Sequence, residues 1–156
     1  MSLREEVETL RQIPLFAKVD PSKIKLLAFT SERVTFQPGE LLCKQGEMGD
    51  AAYVIISGQA DVLIDTPNGP IHVATFKKND VVGEIAILIN IPRTATIKAS
   101  SELTTLRITK DLFLRMISEF PEMSIEMMRV LAERLVRTTE ELQKAKESLQ
   151  KAEGDN

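Results

Sequence analysis

The sequence predicts a mainly β domain, either a sandwich or a barrel, with helices at both ends. Six of the seven glycines lie between residues 39 and 83, and short runs of β-branched residues separated by turn residues occupy residues 33–108. Before and after that region, apolar residues recur at helical spacing. A chain of 156 residues, 43% of them hydrophobic and with a net charge of −3, has room for one such domain and no second full one.

Two helices are predicted before the strands. Residues 3–12 repeat an apolar side chain every three or four positions, which favours an amphipathic helix. Asp20 and Pro21 supply an N-cap and a first-turn proline for a second helix that carries the apolar residues of 24–29.

The central region predicts strands joined by tight turns. Pro38 and Gly39 suit a type II turn, because proline sets φ at its first central position and glycine supplies the positive φ at the second. Asn68 and Gly69 predict a type I′ hairpin, in which both central residues need positive φ. The predicted strands are residues 33–36, 41–43, 52–56, 60–64, 71–75, 94–99 and 103–108.

The C-terminal part predicts two further helices. Thr109 can cap the first, and Pro121 can open the second, which contains no other Gly or Pro before Gly154. Seven residues of this last helix, which we call the heptad seam, have the alternating three- and four-residue spacing of a coiled coil: Met128, Leu131, Leu135, Thr138, Leu142, Ala145 and Leu149. The seam predicts a homodimer through residues 128–149, although a helix of another protein or packing within a monomer would also suit it. Residues 151–156 are expected to form a disordered tail.

Composition and termini favour a cytoplasmic protein. The pI of about 5.3 gives no general attraction to nucleic acid or to an anionic membrane. No apolar run approaches the roughly 20 residues that span a bilayer, and the acidic N-terminus does not resemble a signal peptide. Cys43 is the only cysteine, which is typical of a reducing compartment and excludes an internal disulfide.

The sequence does not favour an enzyme. His72 is the only histidine, and no Cys/His cluster has metal-ligand spacing. Nucleophile-elbow, Walker A and dinucleotide-binding glycine motifs are absent from the sequence. We therefore predict no catalytic residue, no metal and no cofactor.

Residues 80–96 carry the strongest indication of a ligand. Gly83 permits a tight backbone approach, and residues 84–89 can form a short helix whose first N–H groups favour an anion. Arg93, set among apolar strands, needs an anionic partner, and its planar guanidinium fits a phosphate. Glu84 beside a bound anion would be unfavourable unless it took another part of the ligand, such as a sugar hydroxyl. These residues indicate a nucleotide; an internal Glu84–Arg93 salt bridge would also explain them.

The same segment resembles the phosphate-binding cassette of cyclic nucleotide-binding domains. Residues 82–88 read Val-Gly-Glu-Ile-Ala-Ile-Leu and residues 92–96 read Pro-Arg-Thr-Ala-Thr, in the order and spacing of that family. The resemblance covers about residues 13–140. Further matches in order are Leu15-Phe16 and residues 36–40, 44–50, 53–58 and 120–122.

The resemblance implies an eight-stranded jelly roll that holds cyclic AMP or cyclic GMP. It implies that Arg93 pairs with the cyclic phosphate and that Glu84 accepts the ribose 2′-hydroxyl. It also implies a cradle for the phosphate and a lining for the sugar and base, formed by Gly83, by the backbone N–H groups around Ile85, Ala86 and Ala95, and by Val73, Ala74 and Val82. Val82 departs from the usual phenylalanine and Asn79 from a frequent glycine, and both changes affect the entrance rather than a ligand contact.

Two further segments, the end of the cassette and the last helix, concern the choice of base. In the family that this segment resembles, a hydroxyl at the position of Thr94 occurs in proteins that bind cyclic GMP and in proteins that bind cyclic AMP. Thr94 therefore does not decide between the two nucleotides. The last helix resembles the dimer helix of bacterial cyclic AMP receptors, which implies that Arg134 lies near the ribose and Glu84. By the same resemblance, Thr138 and Thr139 fall where two hydroxyls reach the adenine amino group, one from each subunit. This favours cyclic AMP over cyclic GMP.

The expected protein is a Crp-Fnr-like cyclic-nucleotide sensor. Its nucleotide-binding domain is predicted over residues 1–120 and its dimer helix over 121–150, with ligand repositioning the helix to signal to an unknown protein partner. A transcriptional regulator of the same superfamily is a second possibility, although no helix-turn-helix follows residue 140, so direct DNA binding is not expected. The regulatory domain of a channel, kinase or transporter is a third. A scaffold that has lost its ligand is a fourth, which the intact Glu84 and Arg93 disfavour.

Overall fold

The computed structural model describes residues 2–154, in which two four-stranded antiparallel sheets lie between N-terminal and C-terminal helices. The helices are α1 (Leu3–Arg11), α2 (Pro21–Thr30), α3 (Glu84–Leu88), α4 (Lys110–Glu119) and α5 (Pro121–Gly154), and a single 3₁₀ turn occupies Pro14–Phe16. The strands are β1 (Glu32–Phe36), β2 (Leu41–Cys43), β3 (Ala51–Ser57), β4 (Ala60–Thr66), β5 (Gly69–Phe76), β6 (Val81–Val82), β7 (Thr96–Ala99) and β8 (Leu103–Thr109). The predicted fold class is confirmed.

The predicted helix caps are present. The Asp20 carboxylate accepts a hydrogen bond of 2.9 Å from the Ser22 N–H, and the bonds from Ser22 lower the pKa of Asp20. The Thr109 hydroxyl accepts from the Leu112 N–H at the start of α4. These side chains satisfy donors that the first turn of a helix leaves without a partner, which is why the helices begin at these residues.

The sheets join strands that are distant in the sequence. One sheet has the order β1-β8-β3-β6 and the other β2-β7-β4-β5, the arrangement of a jelly roll. Strand β6 was not predicted as a strand; its two residues pair with Tyr53 and Val54 of β3. We call the two sheets together, residues 32–109, the β-roll.

Strand β3 is buried on both faces, which explains its continuous apolar run. Tyr53 and Ile55 point between the two sheets, whereas Ala52 and Val54 point toward the helices, because successive side chains of a strand alternate. The two faces belong to two apolar cores. One core lies between the sheets, and the other packs the outer face of the first sheet against α1, α2, α4 and the start of α5.

The turn between Pro38 and Gly39 is confirmed as type II. The Glu40 N–H donates to the Gln37 carbonyl over 3.0 Å, and Gly39 has φ of +93°. This positive φ is the conformation for which a glycine is needed.

The predicted type I′ hairpin at Asn68–Gly69 is wrong. Thr66 pairs with Gly69, so the loop between β4 and β5 consists of Pro67 and Asn68. Of the two residues predicted to need a positive φ, Gly69 has one, of +103°, and Asn68 does not. Proline holds φ negative at the first loop position, so the chain uses an ordinary turn followed by a left-handed glycine.

Helix α5 changes environment along its length. Met123 and Met127 are buried in the helix-side core, whereas every residue from 135 to 154 is exposed. Residues 151–154, predicted to belong to a disordered tail, continue the helix, because nothing before Gly154 interrupts it; residues 155 and 156 lie outside the described residues. No helix within residues 2–154 has the length and apolar character needed to cross a membrane.

Candidate functional site

Gly83 shapes the segment between β6 and α3. It is the N-cap of α3 with φ of +85°, a left-handed conformation that L-residues rarely adopt. A Cβ on this residue would lie 2.5 Å from Nη1 of Arg93. Glycine is therefore required both for the turn and for the close approach of the arginine.

The Arg93 guanidinium is fixed by the main chain. Its Nη1 donates to the Gly83 carbonyl over 2.6 Å and its Nη2 donates to the Ala51 carbonyl over 2.7 Å. The residue is 6% exposed, and the nearest carboxylate is that of Asp50, with 3.8 Å between Nη2 and Oδ1. Because the Asp50 side chain is 76% exposed, water screens its charge. Arg93 is thus an oriented, buried cation whose charge is only partly balanced.

Glu84 is a buried carboxylate, 1% exposed, at the first position of α3. Its Oε1 accepts a hydrogen bond from Nη1 of Arg134 on α5. The same guanidinium donates to the Val81 carbonyl over 3.3 Å and lies 5.2 Å from the centre of the Phe76 ring. The Glu84–Arg134 pair therefore joins the short helix α3 to the long helix α5.

The alternative to a ligand site, an internal Glu84–Arg93 salt bridge, is not formed. Among residues 2–154, Glu84 pairs with Arg134, and Arg93 contacts two carbonyls and the edge of Asp50. The two charged groups are held separately, each with hydrogen-bonding capacity left. A guanidinium has five N–H donors and a carboxylate has about four acceptor sites.

A cavity of about 860 Å³ lies between the β-roll and α5, within the range of small-molecule sites. Eleven of the thirteen predicted ligand-binding residues line it: Val73, Ala74, Gly83, Glu84, Ile85, Ala86, Arg93, Thr94, Ala95, Arg134 and Thr138. Ile85 and Ala86 lie in the first turn of α3, where backbone N–H groups have no partner inside the helix.

Val82 and Thr139 do not line this cavity. Successive side chains of a strand point to opposite faces, so Val81 and Val82 have different surroundings. Val82 is buried between the two sheets, whereas Val81 lines the cavity. Thr139 is exposed on α5, one position past the helix face that Thr138 presents to the cavity. Thr139 therefore does not face the cavity of its own chain.

Sequence reasoning missed several lining residues. They come from the 3₁₀ turn, from β4 and β5, and from the face of α5 that meets the β-roll: Pro14, Leu15, Val62, Ile64, Thr75, Phe76, Val130, Glu133, Arg137 and Glu141 among others. The α5 positions could have been found from their spacing, since 130, 133, 134, 137, 138 and 141 fall on one face of a helix. The residues of the 3₁₀ turn had no such pattern.

The two other residues considered for chemistry, His72 and Cys43, lie on strands of the β-roll. His72 lies on β5, with Nε2 3.0 Å from the Thr75 hydroxyl and 3.3 Å from the Asp61 carboxylate. Burial raises the pKa of the Cys43 thiol to about 11. Within the described part of the chain, no three His, Cys, Asp or Glu side chains form a group that could hold a metal ion.

Comparison with known proteins agrees with this geometry. The family model described as "Cyclic nucleotide-binding domain" matches residues 33–120. A CRP-like cAMP-activated global transcriptional regulator of Mycobacterium tuberculosis is 33% identical over 136 residues, which is 86% of this chain and 61% of that protein. A cAMP-dependent protein kinase regulatory subunit of Emericella nidulans is 31% identical over 108 residues, which is 69% of this chain and 26% of the relative.

Solved structures share the fold. The regulatory subunit of a cAMP-independent protein kinase A from Trypanosoma brucei superposes with a TM-score of 0.74 at 25% identity, covering 84% of this chain and 47% of that one. The chain thus spans between about a quarter and three fifths of these relatives. Because the family match covers more than half of the sequence and includes Gly83, Glu84 and Arg93, this chain belongs to the cyclic nucleotide-binding domain family.

Proposed function

We propose that this chain is a sensor that binds a 3′,5′-cyclic nucleotide, with cyclic AMP favoured over cyclic GMP, and has no enzymatic activity. The observation that carries the proposal is the pair of buried, oppositely charged groups, Arg93 and Glu84, on the wall of one cavity. A cyclic nucleotide supplies an anion for the first and a hydroxyl for the second. The family's known relatives include a cAMP-activated regulator and a cAMP-independent kinase subunit, so the ligand itself has to be measured.

Arg93 is the proposed partner of the cyclic phosphate. Its two carbonyl contacts orient the guanidinium and leave other N–H groups for the ligand. A phosphate oxygen held by this fork forms charge-assisted hydrogen bonds, which are stronger than neutral ones. The backbone N–H groups of Ile85, Ala86 and Ala95 complete the proposed cradle.

Glu84 is the proposed acceptor of the ribose 2′-hydroxyl. Arg134 occupies one side of this carboxylate, so a hydroxyl arriving from the cavity shares Glu84 with a residue of α5. Ligand binding then acts on the contact that holds α5 against α3. In our proposal this shared carboxylate is how the ligand repositions α5, by favouring one position of the helix over another.

The proposal includes a homodimer through the heptad seam. Leu135, Leu142 and Leu149 are exposed on α5 and form an apolar stripe at coiled-coil spacing. In such a dimer, Thr138 reaches the base from its own chain and Thr139 reaches it from the second copy. Hydrogen bonds from the adenine amino group to these two hydroxyls would favour cyclic AMP over cyclic GMP. The proposal also includes a downstream protein partner, and the relatives offer two candidates for it, a transcriptional module and a kinase module.

Isothermal titration calorimetry tests the proposal. We expect micromolar or tighter binding of cyclic AMP, weaker binding of cyclic GMP, and little binding of the acyclic 5′-AMP. Arg93→Ala should weaken cyclic AMP binding by at least about 100-fold, because it removes two charge-assisted hydrogen bonds of about 1.5–3 kcal/mol each. Arg107→Ala is the matched control: it removes an arginine that also contacts Asp50 but does not line the cavity. Negligible heats with both cyclic nucleotides would refute the proposal.

A further inference from the structure

An ion pair outside the cavity connects α5 to the N-terminal segment. The Glu126 side chain, on the second turn of α5, is buried, with the residue 8% exposed. Its Oε1 accepts from Nζ of Lys18 over 3.2 Å and from Nη1 of Arg129 over 2.5 Å. Arg129 belongs to the same helix, so the Lys18 contact is the one that crosses between segments.

Lys18 lies two residues after the end of the 3₁₀ turn, which contributes to the cavity lining. Its neighbours Phe16 and Val19 are buried in the helix-side core, and the Val19 N–H donates to the Phe16 carbonyl over 3.1 Å. The backbone that carries Lys18 is therefore held in place. Pro14 and Leu15, in that 3₁₀ turn, line the cavity.

Helix α5 is thus tied to two walls of the cavity. Glu126 ties it to Lys18, in the segment that follows the 3₁₀ turn, and Arg134, about two helical turns later, ties it to Glu84 of α3. Between and beyond these residues, α5 contributes Val130, Glu133 and Arg137 to the cavity lining. The position of α5 and the shape of the cavity are therefore linked through two separate charged contacts.

We infer that the Lys18–Glu126 ion pair is a latch that adds to the apolar packing of Met123 and Met127 in holding α5 beside the 3₁₀ turn, and so regulates the affinity of the cavity. Its role in ligand affinity rests on the proposed function; its effect on α5 does not. The ligand cavity is complete only while α5 is docked, so loosening the helix lowers the fraction of binding-competent molecules and raises the apparent Kd by the same factor. The Lys18 side chain is 65% exposed, so the pair is weak enough to open reversibly.

Amide hydrogen exchange on the full chain without ligand tests the latch. Lys18→Gln should raise exchange about two- to five-fold in residues 14–19 and 123–134 while leaving β3 and β8 unchanged. Arg129→Gln is the matched control, because it removes a cation from the same carboxylate without breaking the link to the 3₁₀ turn. Lys25→Gln controls for loss of a surface lysine on α2. Exchange in Lys18→Gln equal to that in both controls, or raised in the β-roll to the same extent, would overturn the inference.

Titration with cyclic AMP tests the regulatory effect. Lys18→Gln should weaken binding about two- to five-fold, and Lys18→Gln with Glu126→Gln should be no weaker than Glu126→Gln alone, because both variants open the same latch. Additive losses in the double variant would overturn the coupling. Absence of cyclic AMP binding in the native chain would refute the proposed function instead, while the exchange experiment would still decide the latch.

Discussion

The β-roll and the outer half of α5, residues 135–154, are held in their conformations by different kinds of contact. In the β-roll, Tyr53, Ile55 and Leu103 are buried between sheets whose strands lie far apart in the sequence. In the outer half of α5 every residue is exposed, and the side-chain contact within it is a hydrogen bond of 3.1 Å from Gln143 to Glu147 on the next turn. The first region obtains its stability from its own chain; the second obtains almost none.

This difference bears on where a partner binds. An isolated helix of about 20 residues is marginally stable in water, and most helices in proteins are stabilised by packing an apolar face. The outer half of α5 has such a face, at Leu135, Leu142 and Leu149, and its own chain leaves it uncovered. A second surface is therefore expected to stabilise this half of the helix, whereas the β-roll requires none.

The largest expected effect is a loss of stability from truncating a side chain in the core between the β-roll and the helices. Phe113→Ala, at a fully buried position of α4, should lower the free energy of unfolding by about 3–5 kcal/mol. Val136→Ala, an apolar truncation in the outer half of α5 outside the heptad seam, should change it by less than about 0.5 kcal/mol. Urea unfolding of both variants checks this pair. Similar losses in the two would show that the outer helix packs on its own chain.

A smaller effect is expected where the two regions meet. Arg134→Gln leaves the buried Glu84 carboxylate without its cationic partner and should lower the free energy of unfolding by about 1–3 kcal/mol. Adding Glu84→Gln should recover part of this loss, because an amide pair leaves no unpaired charge. Urea unfolding measures both variants. If the double variant is as unstable as the sum of the single ones, the two residues are not coupled.

The heptad seam should affect assembly more than folding. Leu135→Asp places a charge in the predicted dimer seam and should convert a dimer into a monomer, whereas Val136→Asp, at the adjacent exposed position outside the seam, should leave the dimer intact. Sedimentation equilibrium gives the mass of each. Circular dichroism should show an unchanged strand content in both. A monomeric native chain, or loss of the dimer in both variants, would contradict the seam.

The smallest effect at neutral pH concerns the thiol inside the β-roll. Burial raises the pKa of Cys43 from 9.0 to about 11, so the native thiol stays protonated at pH 8 and should react slowly with thiol reagents. In the unfolded chain the thiol ionises first as pH rises, so stability should fall between about pH 9 and pH 11 and be unaffected at pH 7. Cys43→Ala should remove that part of the decline. Rapid labelling of the native protein at pH 8 would contradict this prediction.

Local sequence patterns accounted for much of the fold. The caps at Asp20 and Thr109 and the turn at Gly39 were predictable, because each depends on one or two adjacent residues. The hairpin at Asn68 was not predicted correctly, since the favoured dipeptide competed with Pro67, which fixed the turn one position earlier. Strand β6 was missed because two residues are too few for a periodic pattern, and its pairing with β3 comes from the sheet.

The candidate site divides in the same way. Gly83, Glu84 and Arg93 could be selected from the sequence because glycine, a carboxylate and a guanidinium in an apolar segment are unusual and lie within eleven consecutive positions. The placement of Val82 between the sheets was decided by the side on which β6 pairs with β3. Pro14 and Leu15 entered the cavity lining through the packing of the 3₁₀ turn beside α5, which no local pattern encodes.

By itself, the sequence determined most of the helices and strands, the charged pair of the cassette and the heptad spacing of the last helix, because propensity, capping and periodicity act over a few residues. The resemblance implied that Arg134 lies near Glu84, but only the tertiary structure decided that these two side chains pair and that Lys18 meets Glu126 across 108 positions. Those contacts depend on where α5 lies against the β-roll, and that position is set by burial of residues that are far apart in the chain.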